Sequence, residues 1–248
     1  MLELTGKRVL VTGASSGLGA HFSKVLSRAG AEVIAAARRR DALEELVAEL
    51  KTANGQARAV QLDITDAASI SAALAEAGDI DVLVNNAGVT NTKPVLDQTE
   101  ADFDFILNTN LKGSFLLATH VARQMRDRNA SGSIINIASI LGLRQGGQVT
   151  PYAVSKAALI QMTKQLGLEL ARHNIRVNAI APGYIATELN DEFFESEAGK
   201  NLIKRIPQRR LGHPTDLDGP LLLLASDASR YMTGSVITVD GGHLVSSL

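Results

Sequence analysis

The chain has 248 residues and a mass of 26.2 kDa, with 25 basic and 26 acidic side chains and a formal net charge of −1. This balance gives no electrostatic reason to expect a nucleic acid or an anionic membrane surface as a partner. Cysteine is absent, which excludes disulfides, a thiol nucleophile and a thiolate metal site. We predict no metal site of any other kind.

The beginning of the chain lacks the charged-then-apolar order of a signal peptide. No apolar run approaches the roughly 20 residues that a bilayer requires. A cytoplasmic protein without a membrane partner is therefore expected. Hydrophobic residues make up 45% of the chain and aromatic residues only 4%. A core of Ala, Val, Ile and Leu is typical of parallel sheets covered by helices.

The first predicted unit is a strand, a glycine-rich turn and a helix. The strand covers Arg8–Thr12, and the turn contains Gly13, Gly17 and Gly19. Glycines allow the backbone to approach a pyrophosphate, and the start of the helix offers unpaired N–H groups. The Gly-x-x-x-Gly-x-Gly spacing in this context indicates nucleotide binding, with a purely structural turn as the alternative.

The end of the second strand, residues 32–37, indicates which dinucleotide is bound. An acidic residue there would hydrogen-bond the 2′-hydroxyl of NAD. The chain instead has Ala37, followed by Arg38, Arg39 and Arg40. A guanidinium suits the 2′-phosphate of NADP. We therefore expect NADP(H) to be preferred and NAD(H) to be a second option, with Arg38 as first choice for the phosphate and Arg39 as second. A solvated basic helix start is the alternative.

The remaining predicted elements alternate between helix and strand. They are a helix over 41–53, a strand over 57–62, a helix over 66–77, a strand over 81–85, a helical stretch over 100–127, a strand over 133–138, a helix over 152–173, a strand over 174–180, a helix over 214–225 and a strand over 236–239. This alternation and the right-handed crossover rule predict an α/β protein. We expect one Rossmann domain over residues 1–248, with a doubly wound, seven-stranded parallel sheet and helices on both faces.

Two stretches depart from this regular pattern. Residues 108–114 are mostly poor helix formers, so a weak point there could free backbone carbonyls for water. Residues 187–210 are polar and too long for a plain connection, which predicts a mobile helical lid. The basic end of the lid, residues 204–210, could meet an acidic carrier or a phosphorylated thioester; a solvated charged face is the alternative.

Polar residues follow two of the predicted strands. Asn86, Ala87 and Gly88 come after the fourth strand, and Ser139 comes after the fifth. Ligands of open parallel sheets bind at such strand ends. Residues 86–88 indicate close packing of backbone against a ligand, and Ser139 could hydrogen-bond a carbonyl. A plain turn and a plain strand-end serine are the alternatives.

The helix after residue 149 carries the strongest chemical signal. Thr150 and Pro151 suit its cap and its first position, and Tyr152 and Lys156 share one face. A free tyrosine has a pKa of about 10, but a nearby cation and the positive end of the helix dipole favour phenolate. The pair therefore predicts a tyrosine of lowered pKa that exchanges a proton near pH 7. A half-buried Tyr beside a surface Lys is the alternative.

In order and spacing, these motifs resemble the short-chain dehydrogenase/reductase family across nearly the whole chain, and its 3-oxoacyl reductase-like members in particular. The matched positions are Thr12, Gly13, Gly17, Gly19, Asp63, Asn85, Asn86, Ala87, Gly88, Asn110, Ser139, Tyr152, Lys156, Pro182, Gly183 and Thr187.

The resemblance implies four catalytic roles. Tyr152 would donate the proton in ketone reduction and accept it in alcohol oxidation. Lys156 would lower the Tyr152 pKa and hold the nicotinamide ribose hydroxyls. Ser139 would orient the substrate carbonyl, and Asn110 would hold a water that relays protons to Lys156.

The resemblance also implies cofactor contacts. The glycines would pack on the pyrophosphate, Asp63 would meet the adenine, Asn86 and the backbone around Gly88 would lie along the cofactor, and Thr187 would contact the nicotinamide side. The full set of candidates is Gly13, Ser15, Ser16, Gly17, Leu18, Gly19, Arg38, Asp63, Ile64, Asn86, Ala87, Gly88, Tyr152, Lys156, Pro182, Gly183, Ile185 and Thr187. Many NADP-preferring relatives carry a basic residue in the glycine turn where this chain has Ser16.

Substrate and assembly are less constrained by the sequence. Gln148, four residues before Tyr152, joins Ser139 and Tyr152 as a candidate for contact with a small-molecule carbonyl or alcohol substrate. The leading hypothesis is an NADP-dependent carbonyl reductase that interconverts a ketone and a secondary alcohol, including the 3-oxoacyl thioester type. A sugar, polyol or secondary-alcohol dehydrogenase working oxidatively with NAD(P) is the alternative. A non-catalytic NADP(H) sensor has no need of the four catalytic-type residues.

Members of the family commonly pair the helices that correspond to residues 100–127 and 152–173 across two-fold axes. This chain carries apolar residues on more than one face of both helices. A homotetramer is therefore expected, with a dimer second.

Overall fold

Parallel strands at the centre of the molecule confirm the predicted sheet. A computed structural model describes residues 2–187 and 194–246, and within these ranges the sheet has seven strands in the order β3-β2-β1-β4-β5-β6-β7. The strands are β1 Arg8–Thr12, β2 Glu32–Ala37, β3 Gln56–Gln61, β4 Val82–Asn85, β5 Gly132–Ile137, β6 Ile175–Pro182 and β7 Val236–Val239. All neighbouring pairs are parallel. The strand order reverses between β1 and β4, which is where sheets of this kind bind ligands.

Helices cover both faces of the sheet, as predicted. Those in the described ranges are α1 Gly17–Arg28, α2 Arg40–Thr52, α3 Ala67–Ala77, α4 Glu100–Leu107, α5 Ser114–Asp127, α6 Thr150–Leu170, α7 Glu197–Ile203 and α8 Asp218–Ala225. Successive residues of a strand point to opposite faces. Val9 and Val11 accordingly pack with residues of α1, α2 and α8, whereas Leu10 packs with residues of α3 and α5. The described residues therefore form a large hydrophobic core on each face of a single sheet, with a third, smaller cluster around Leu159.

A π-helical segment at Asn108–Gly113 interrupts the long helical stretch between α4 and α5. This confirms the weak point predicted there. Gly113 is required at its end, because a Cβ would lie 2.5 Å from the carbonyl oxygen of Ile64. The π-helical turn, which is wider than an α-helical turn, directs the Asn110 side chain into the protein, where it is fully buried. There the carboxamide accepts from the Val89 amide (2.8 Å) and donates to the Val89 carbonyl (2.9 Å).

The start of α6 differs from the sequence-based expectation. Thr150 is the first helical residue and Val149 takes the cap position, so the prediction of Thr150 as the cap was wrong. Pro151 still lies in the first turn, where a missing N–H is tolerated. Gln148 has a left-handed backbone (φ 63°), and its carbonyl accepts a hydrogen bond from the Lys93 amide (2.9 Å). This turn directs the chain into the helix one residue early.

The C-terminal third also differs in detail from the prediction. The single helix expected over 214–225 is divided into a 3₁₀ turn, Pro214–Leu217, and α8. Of the predicted lid, residues 188–193 lie outside the described ranges, and α7 is the helix that follows them. Among the helices of residues 2–187 and 194–246, none combines the length and apolar character needed to cross a bilayer.

Candidate active site

The predicted site residues converge at the carboxyl ends of the central strands. Gly13 follows β1, Asn86 follows β4, and Ser139 follows β5, while the first turns of α6 carry Tyr152 and Lys156. Because the strands are parallel, all of these residues lie at the same edge of the sheet.

The glycine turn is held against the loop after β4 at distances that no side chain would allow. A Cβ on Gly19 would lie 2.2 Å from the Gly13 carbonyl oxygen and 2.7 Å from Nδ2 of Asn86. The Thr12 hydroxyl accepts hydrogen bonds from the amides of Asn86 and Ala87, both at 3.0 Å. The Asn86 side chain in turn donates to the Thr12 carbonyl (2.9 Å). Thr12 therefore ties the two loops together.

The first turn of α1 suits an anion. Ser16 is its cap residue but makes no side-chain cap hydrogen bond, and no acidic residue lies in the first turn. The amides of residues 17–19 therefore keep their donors and the positive end of the helix dipole. Gly17 has a left-handed backbone (φ 52°) that glycine adopts without strain. The turn thus fits the pyrophosphate of a dinucleotide on the evidence of its own backbone.

Arg39, our second choice from the sequence, is the arginine that reaches this turn. Its Nη2 atom donates to the hydroxyls of Ser16 (2.9 Å) and Ser15 (3.1 Å). A cation therefore lies where many NADP-preferring relatives have a basic residue within the turn itself. No local sequence pattern reveals this contact, because it joins residues more than twenty positions apart.

Arg38 lies on the other side, towards Asp63. Hydrogen bonds from Thr65 hold the pKa of the Asp63 carboxyl below its usual value, and the charge of Arg38 adds to this effect. The Asp63 carboxylate accepts from the Thr65 hydroxyl (2.7 Å) and the Thr65 amide (2.9 Å). The neighbouring Ile64 is buried. Contact of either residue with an adenine stays a prediction.

Lys156 is buried at the centre of the site. Its side chain is 4% exposed, and its Nζ atom donates to the Ile137 carbonyl at 2.8 Å. No carboxylate forms an ion pair with it within residues 2–187 and 194–246. Burial lowers the pKa of Lys156 to about 8. A Cβ on Gly88 would lie 3.5 Å from this Nζ, so the loop after β4 passes close over the ammonium group.

Tyr152 lies beside Lys156, but its pKa shift is opposite to the one predicted. Nζ of Lys156 is 5.6 Å from the centre of the Tyr152 ring. Burial raises the pKa of Tyr152, a hydrogen bond with Ser139 opposes this rise, and the neighbouring Tyr184 adds to it. The predicted lowering by Lys156 and the helix dipole was therefore wrong, because removal of the phenol from water has the larger effect.

Asn110 and Ser139 complete the catalytic-type set. The Asn110 carboxamide donates to the Ser155 hydroxyl (3.0 Å), which donates to the Tyr152 carbonyl (2.7 Å). Asn110 thus connects the π-helical segment to the first turn of α6. The Ser139 hydroxyl accepts from the Leu141 amide (3.1 Å), which fixes its side chain on the 3₁₀ turn after β5.

The residues after β6 close another side of the site. The Gly183 amide donates to the Val239 carbonyl (2.9 Å), and a Cβ on Gly183 would lie 2.8 Å from Cα of Asp240. Ile185 pairs with Gly212 in an isolated parallel bridge. Pro182 ends β6, whereas Thr187 is the last described residue before the gap. Their contacts with a cofactor stay predictions.

The predicted substrate residue Gln148 is exposed, and the structure shows a role only for its backbone, in the contact with Lys93. Sequence reasoning missed Tyr184, which acts on Tyr152, and two residues connected with it, Arg144 and His243. Tyr184 adds to the upward shift of the Tyr152 pKa. The centre of its ring lies 5.6 Å from that of His243. The Arg144 guanidinium donates to the main-chain carbonyl of His243. Tyr184 and His243 follow the glycine turns at 183 and 241–242, which is the one signal that could have indicated them.

Comparisons with known proteins agree with this architecture. A family model described as enoyl-(acyl carrier protein) reductase matches residues 13–243. The 3-oxoacyl-[acyl-carrier-protein] reductase FabG of Thermotoga maritima is 40% identical, with 98% of this chain and 100% of that protein aligned.

Two solved structures show the same fold over nearly their full length. A short-chain type dehydrogenase/reductase from Mycobacterium marinum has a TM-score of 0.92 and 41% identity, with 98% of this chain and 97% of the other covered. A gluconate 5-dehydrogenase from Burkholderia cenocepacia, solved in complex with NADP and tartrate, has a TM-score of 0.94 and 34% identity, with 99% and 98% covered. The chain belongs to the short-chain dehydrogenase/reductase family, and the three relatives named above are oxidoreductases.

The buried ammonium makes a prediction about stability. The pKa of Lys156 is about 8 in the folded protein against an ordinary value of 10.5, so between these values the unfolded chain binds more protons and folding stability rises with pH. Below pH 8 the full penalty, on the order of 3 kcal/mol, opposes folding. Lys156→Met removes it. We expect the free energy of unfolding of the parent to gain on that of the variant as the pH rises from 8 through 10.5.

Urea unfolding at pH 7, 9 and 10 measures this difference, in which groups common to both proteins cancel. Lys51→Met, at an exposed position of α2, is the matched control and should show no such trend. Parallel pH dependence in the parent and Lys156→Met would contradict the lowered pKa.

Proposed function

We propose that the protein is an NADP(H)-dependent oxidoreductase that interconverts a ketone and a secondary alcohol, with Tyr152 as the acid and base. The observation that carries this proposal is the position of Tyr152 between the buried Lys156 ammonium and the Ser139 hydroxyl. This group lies at the same sheet edge as the glycine turn that fits a pyrophosphate. A sensor that only binds the cofactor would not require this arrangement.

NADP is favoured over NAD by the charges around the ribose end of the proposed site. Ala37 provides no carboxylate, Arg39 lies on the glycine turn, and Arg38 lies towards Asp63. A 2′-phosphate would therefore meet two guanidinium groups. The related gluconate 5-dehydrogenase was solved with NADP. When bound, the nicotinamide ring supplies the hydride in reduction and accepts it in oxidation.

The chain's own residues would handle the substrate oxygen and its proton. Hydrogen bonds from Ser139 and Tyr152 would orient the carbonyl oxygen and stabilise the negative charge that develops on it. Because burial raises the pKa of Tyr152, the phenol keeps its proton at neutral pH and is prepared to donate it during reduction. The Lys156 ammonium lies close enough to stabilise the phenolate that remains.

Asn110 would support proton return to Tyr152. Its carboxamide is fixed by Val89 and Ser155, and its main chain belongs to the π-helical segment. Backbone carbonyls of such a segment have poorer helical partners than those of a regular helix and can accept from water. We propose that a water held there relays protons to Lys156.

Tyr152→Phe tests the acid. The phenyl ring preserves the shape of the side chain but carries no exchangeable proton, so cofactor binding should persist while turnover falls by at least about 100-fold. NADPH fluorescence titration and NADPH consumption with a panel of carbonyl compounds measure the two properties. The panel contains acetoacetyl thioesters, cyclic ketones, diketones and keto sugars. Turnover by the variant within threefold of the parent would remove Tyr152 from the reaction.

Two substrate classes remain for the proposed activity. The Thermotoga maritima relative is a 3-oxoacyl-[acyl-carrier-protein] reductase, and the Burkholderia cenocepacia relative is a gluconate 5-dehydrogenase. We predicted that the basic end of the lid could contact an acidic carrier. This prediction loses support because the guanidinium of Arg210 already pairs with Asp216 at 2.6 Å. Sugar or polyol chemistry, the alternative hypothesis from the sequence, gains weight accordingly, and the gluconate 5-dehydrogenase relative adds sugar acids to it.

Substitutions of the arginines that follow β2 test the cofactor preference. Arg38→Asp should repel the 2′-phosphate, and Arg39→Met should remove one charge-assisted contact. Each should lower the ratio of NADP to NAD kcat/KM by about 10- to 100-fold. Arg40→Met is the matched control, since Arg40 pairs with Glu44 at 2.9 Å. A ratio that stays unchanged in either test variant would remove that arginine from the phosphate site.

A homotetramer is proposed on the basis of an apolar surface formed by α4, α5 and α6. Phe105 is 50% exposed there, and Phe103, Phe115 and Val154 are exposed to a similar extent. A cleft of about 460 Å³ in this surface is lined by Leu107, Asn108, Leu111, Lys112, Phe115, Ala158 and Met162. Contiguous apolar surface of this kind usually marks an interface, and a closed symmetric oligomer covers it with a second copy.

Sedimentation equilibrium should give a mass about four times that of the 26.2 kDa chain. Phe115→Glu places a charge in the apolar cleft and should shift the distribution to smaller species. Leu96→Glu, at a residue that is 94% exposed and outside the cleft, should leave the parent mass unchanged. A parent mass near that of one chain would exclude both tetramer and dimer.

A further inference from the structure

Three side chains that the proposed mechanism does not use are joined to one another on the side of Tyr152 where Tyr184 lies. We call Arg144, Tyr184 and His243 the Arg144 cluster. The ring centres of Tyr184 and His243 are 5.6 Å apart at an angle of 38°, and Nη1 of Arg144 donates to the main-chain carbonyl of His243. Tyr184 is close enough to Tyr152 to raise its pKa. The turn that begins at Ser139 also carries Arg144, so the cluster is connected through the backbone to the residue proposed to orient the carbonyl.

The position of Arg144 is fixed from two directions. Its amide donates to the Ile140 carbonyl (2.8 Å), so its backbone belongs to the turn that also holds Ser139. Its guanidinium reaches the turn after β7 through His243. Arg144 consequently presents its charge in a set direction relative to Ser139 and Tyr152.

Most of the hydrogen-bonding capacity of Arg144 is unused within the described part of the chain. A guanidinium has five N–H donors in a planar fork. The contact with His243 uses one Nη atom, and no carboxylate of residues 2–187 and 194–246 forms an ion pair with Arg144. The side chain is nevertheless half-buried. Groups of this kind are stable when an anion completes their hydrogen bonds.

His243 offers a second unused polar group. The side chain is 6% exposed, and its Nδ1 atom is buried with no hydrogen-bond partner in the described ranges. Burial lowers the pKa of His243, and the charges of Arg144 and Arg205 lower it further against the opposing effect of Asp240. The imidazole is therefore neutral near pH 7 and offers one donor and one acceptor, which suits a hydroxyl group.

The charge balance around the cluster favours an anion. Arg144 and Arg205 contribute positive charge, and Asp240 is the acidic group that acts on His243. The Asp240 carboxylate is engaged by the amides of Leu244 (2.6 Å) and Gly242 (2.9 Å). Its oxygens are thus engaged by the turn after β7, and its single negative charge offsets only one of the two arginine charges.

We propose that Arg144 binds the carboxylate of a small hydroxy-keto acid substrate, while Tyr184 and His243 contact its hydroxyl groups. This inference rests on the proposed function, because it assigns the substrate class to the same site. A planar guanidinium fork matches a carboxylate in two parallel hydrogen bonds. A 3-oxoacyl thioester is uncharged on both sides of its ketone and would give Arg144 no partner.

Matched substrate pairs test the proposal in the full-length protein. The first pair is 5-keto-D-gluconate and L-sorbose, which keeps the keto-polyol skeleton with a hydroxymethyl group in place of the carboxylate. The second pair is levulinate and its methyl ester. The measured quantity is the ratio of kcat/KM for the acid to kcat/KM for its uncharged partner, with NADPH. We expect a ratio above 10 for the parent in at least one pair.

Arg144→Met should reduce that ratio by about 10- to 100-fold, chiefly through the KM of the acid, because a charge-assisted contact is lost. Arg144→Lys keeps the charge without the planar fork and should fall between the two. Arg28→Met, at the opposite end of α1 from the glycine turn, is the matched control and should keep the parent ratio. Circular dichroism and NADPH titration verify that each variant folds and binds the cofactor.

The outcomes separate this inference from the proposed function. A parent ratio near one in both pairs, turnover confined to thioesters, or an unchanged ratio in Arg144→Met would overturn the carboxylate site and leave the oxidoreductase intact. An absence of turnover with every carbonyl and alcohol tested, despite bound NADPH, would overturn the proposed function itself.

Discussion

The attachment of helix α6 to the end of strand β5 is the constraint on which the site depends. A lysine ammonium buried under the loop after β4 donates to the Ile137 carbonyl, and this contact fixes the depth and rotation of the helix. The rotation in turn places Tyr152 against Ser139. A buried cation without an ion-pair partner lowers the stability of the folded protein. A helix with a purely structural role would therefore be more stable with an apolar residue at this position. The presence of the lysine is consistent with the chemistry proposed for the first turn of this helix.

The second constraint is the close approach of backbone segments around the topological switch. Gly19 and Gly113 each lie where a Cβ would overlap a carbonyl oxygen of another segment, and Thr12 accepts from two consecutive amides of the loop after β4. Such contacts leave little freedom for the strand ends to separate. These contacts surround the proposed cofactor position, whereas residues 144, 184 and 243 lie in the segments that follow β5, β6 and β7.

Much of this architecture followed from the sequence because it depends on local patterns. The strand–glycine–helix unit, the four-residue spacing of Tyr152 and Lys156, and the poor helix formers around Asn110 each have a direct physical consequence within one or two turns of chain. The two predictions of local detail that were wrong also have physical causes. Thr150 is not the cap because Gln148 turns the chain early, and Tyr152 has a raised pKa because burial exceeds the influence of its neighbours.

Contacts between distant segments could not be predicted in the same way. Arg39 reaches Ser16 across the first β-α-β unit, and Arg144 reaches the carbonyl of a residue 99 positions away. The position of each guanidinium depends on how the loops are folded, for which a single sequence has no periodic signal. The sequence therefore predicts the residues of the proposed reaction better than it predicts those proposed to select the substrate.

The order of these segments along the chain has a consequence for how such a protein diversifies. The glycine turn, the arginines after β2 and the loop after β4 all precede α4, whereas Ser139, Arg144, Tyr184 and His243 all follow α5. The residues proposed to select the coenzyme thus precede those proposed to bind the substrate, although predicted nicotinamide-side contacts such as Thr187 lie in the second half. A hybrid gene with its junction inside α5 would inherit coenzyme preference from one parent and substrate range from the other.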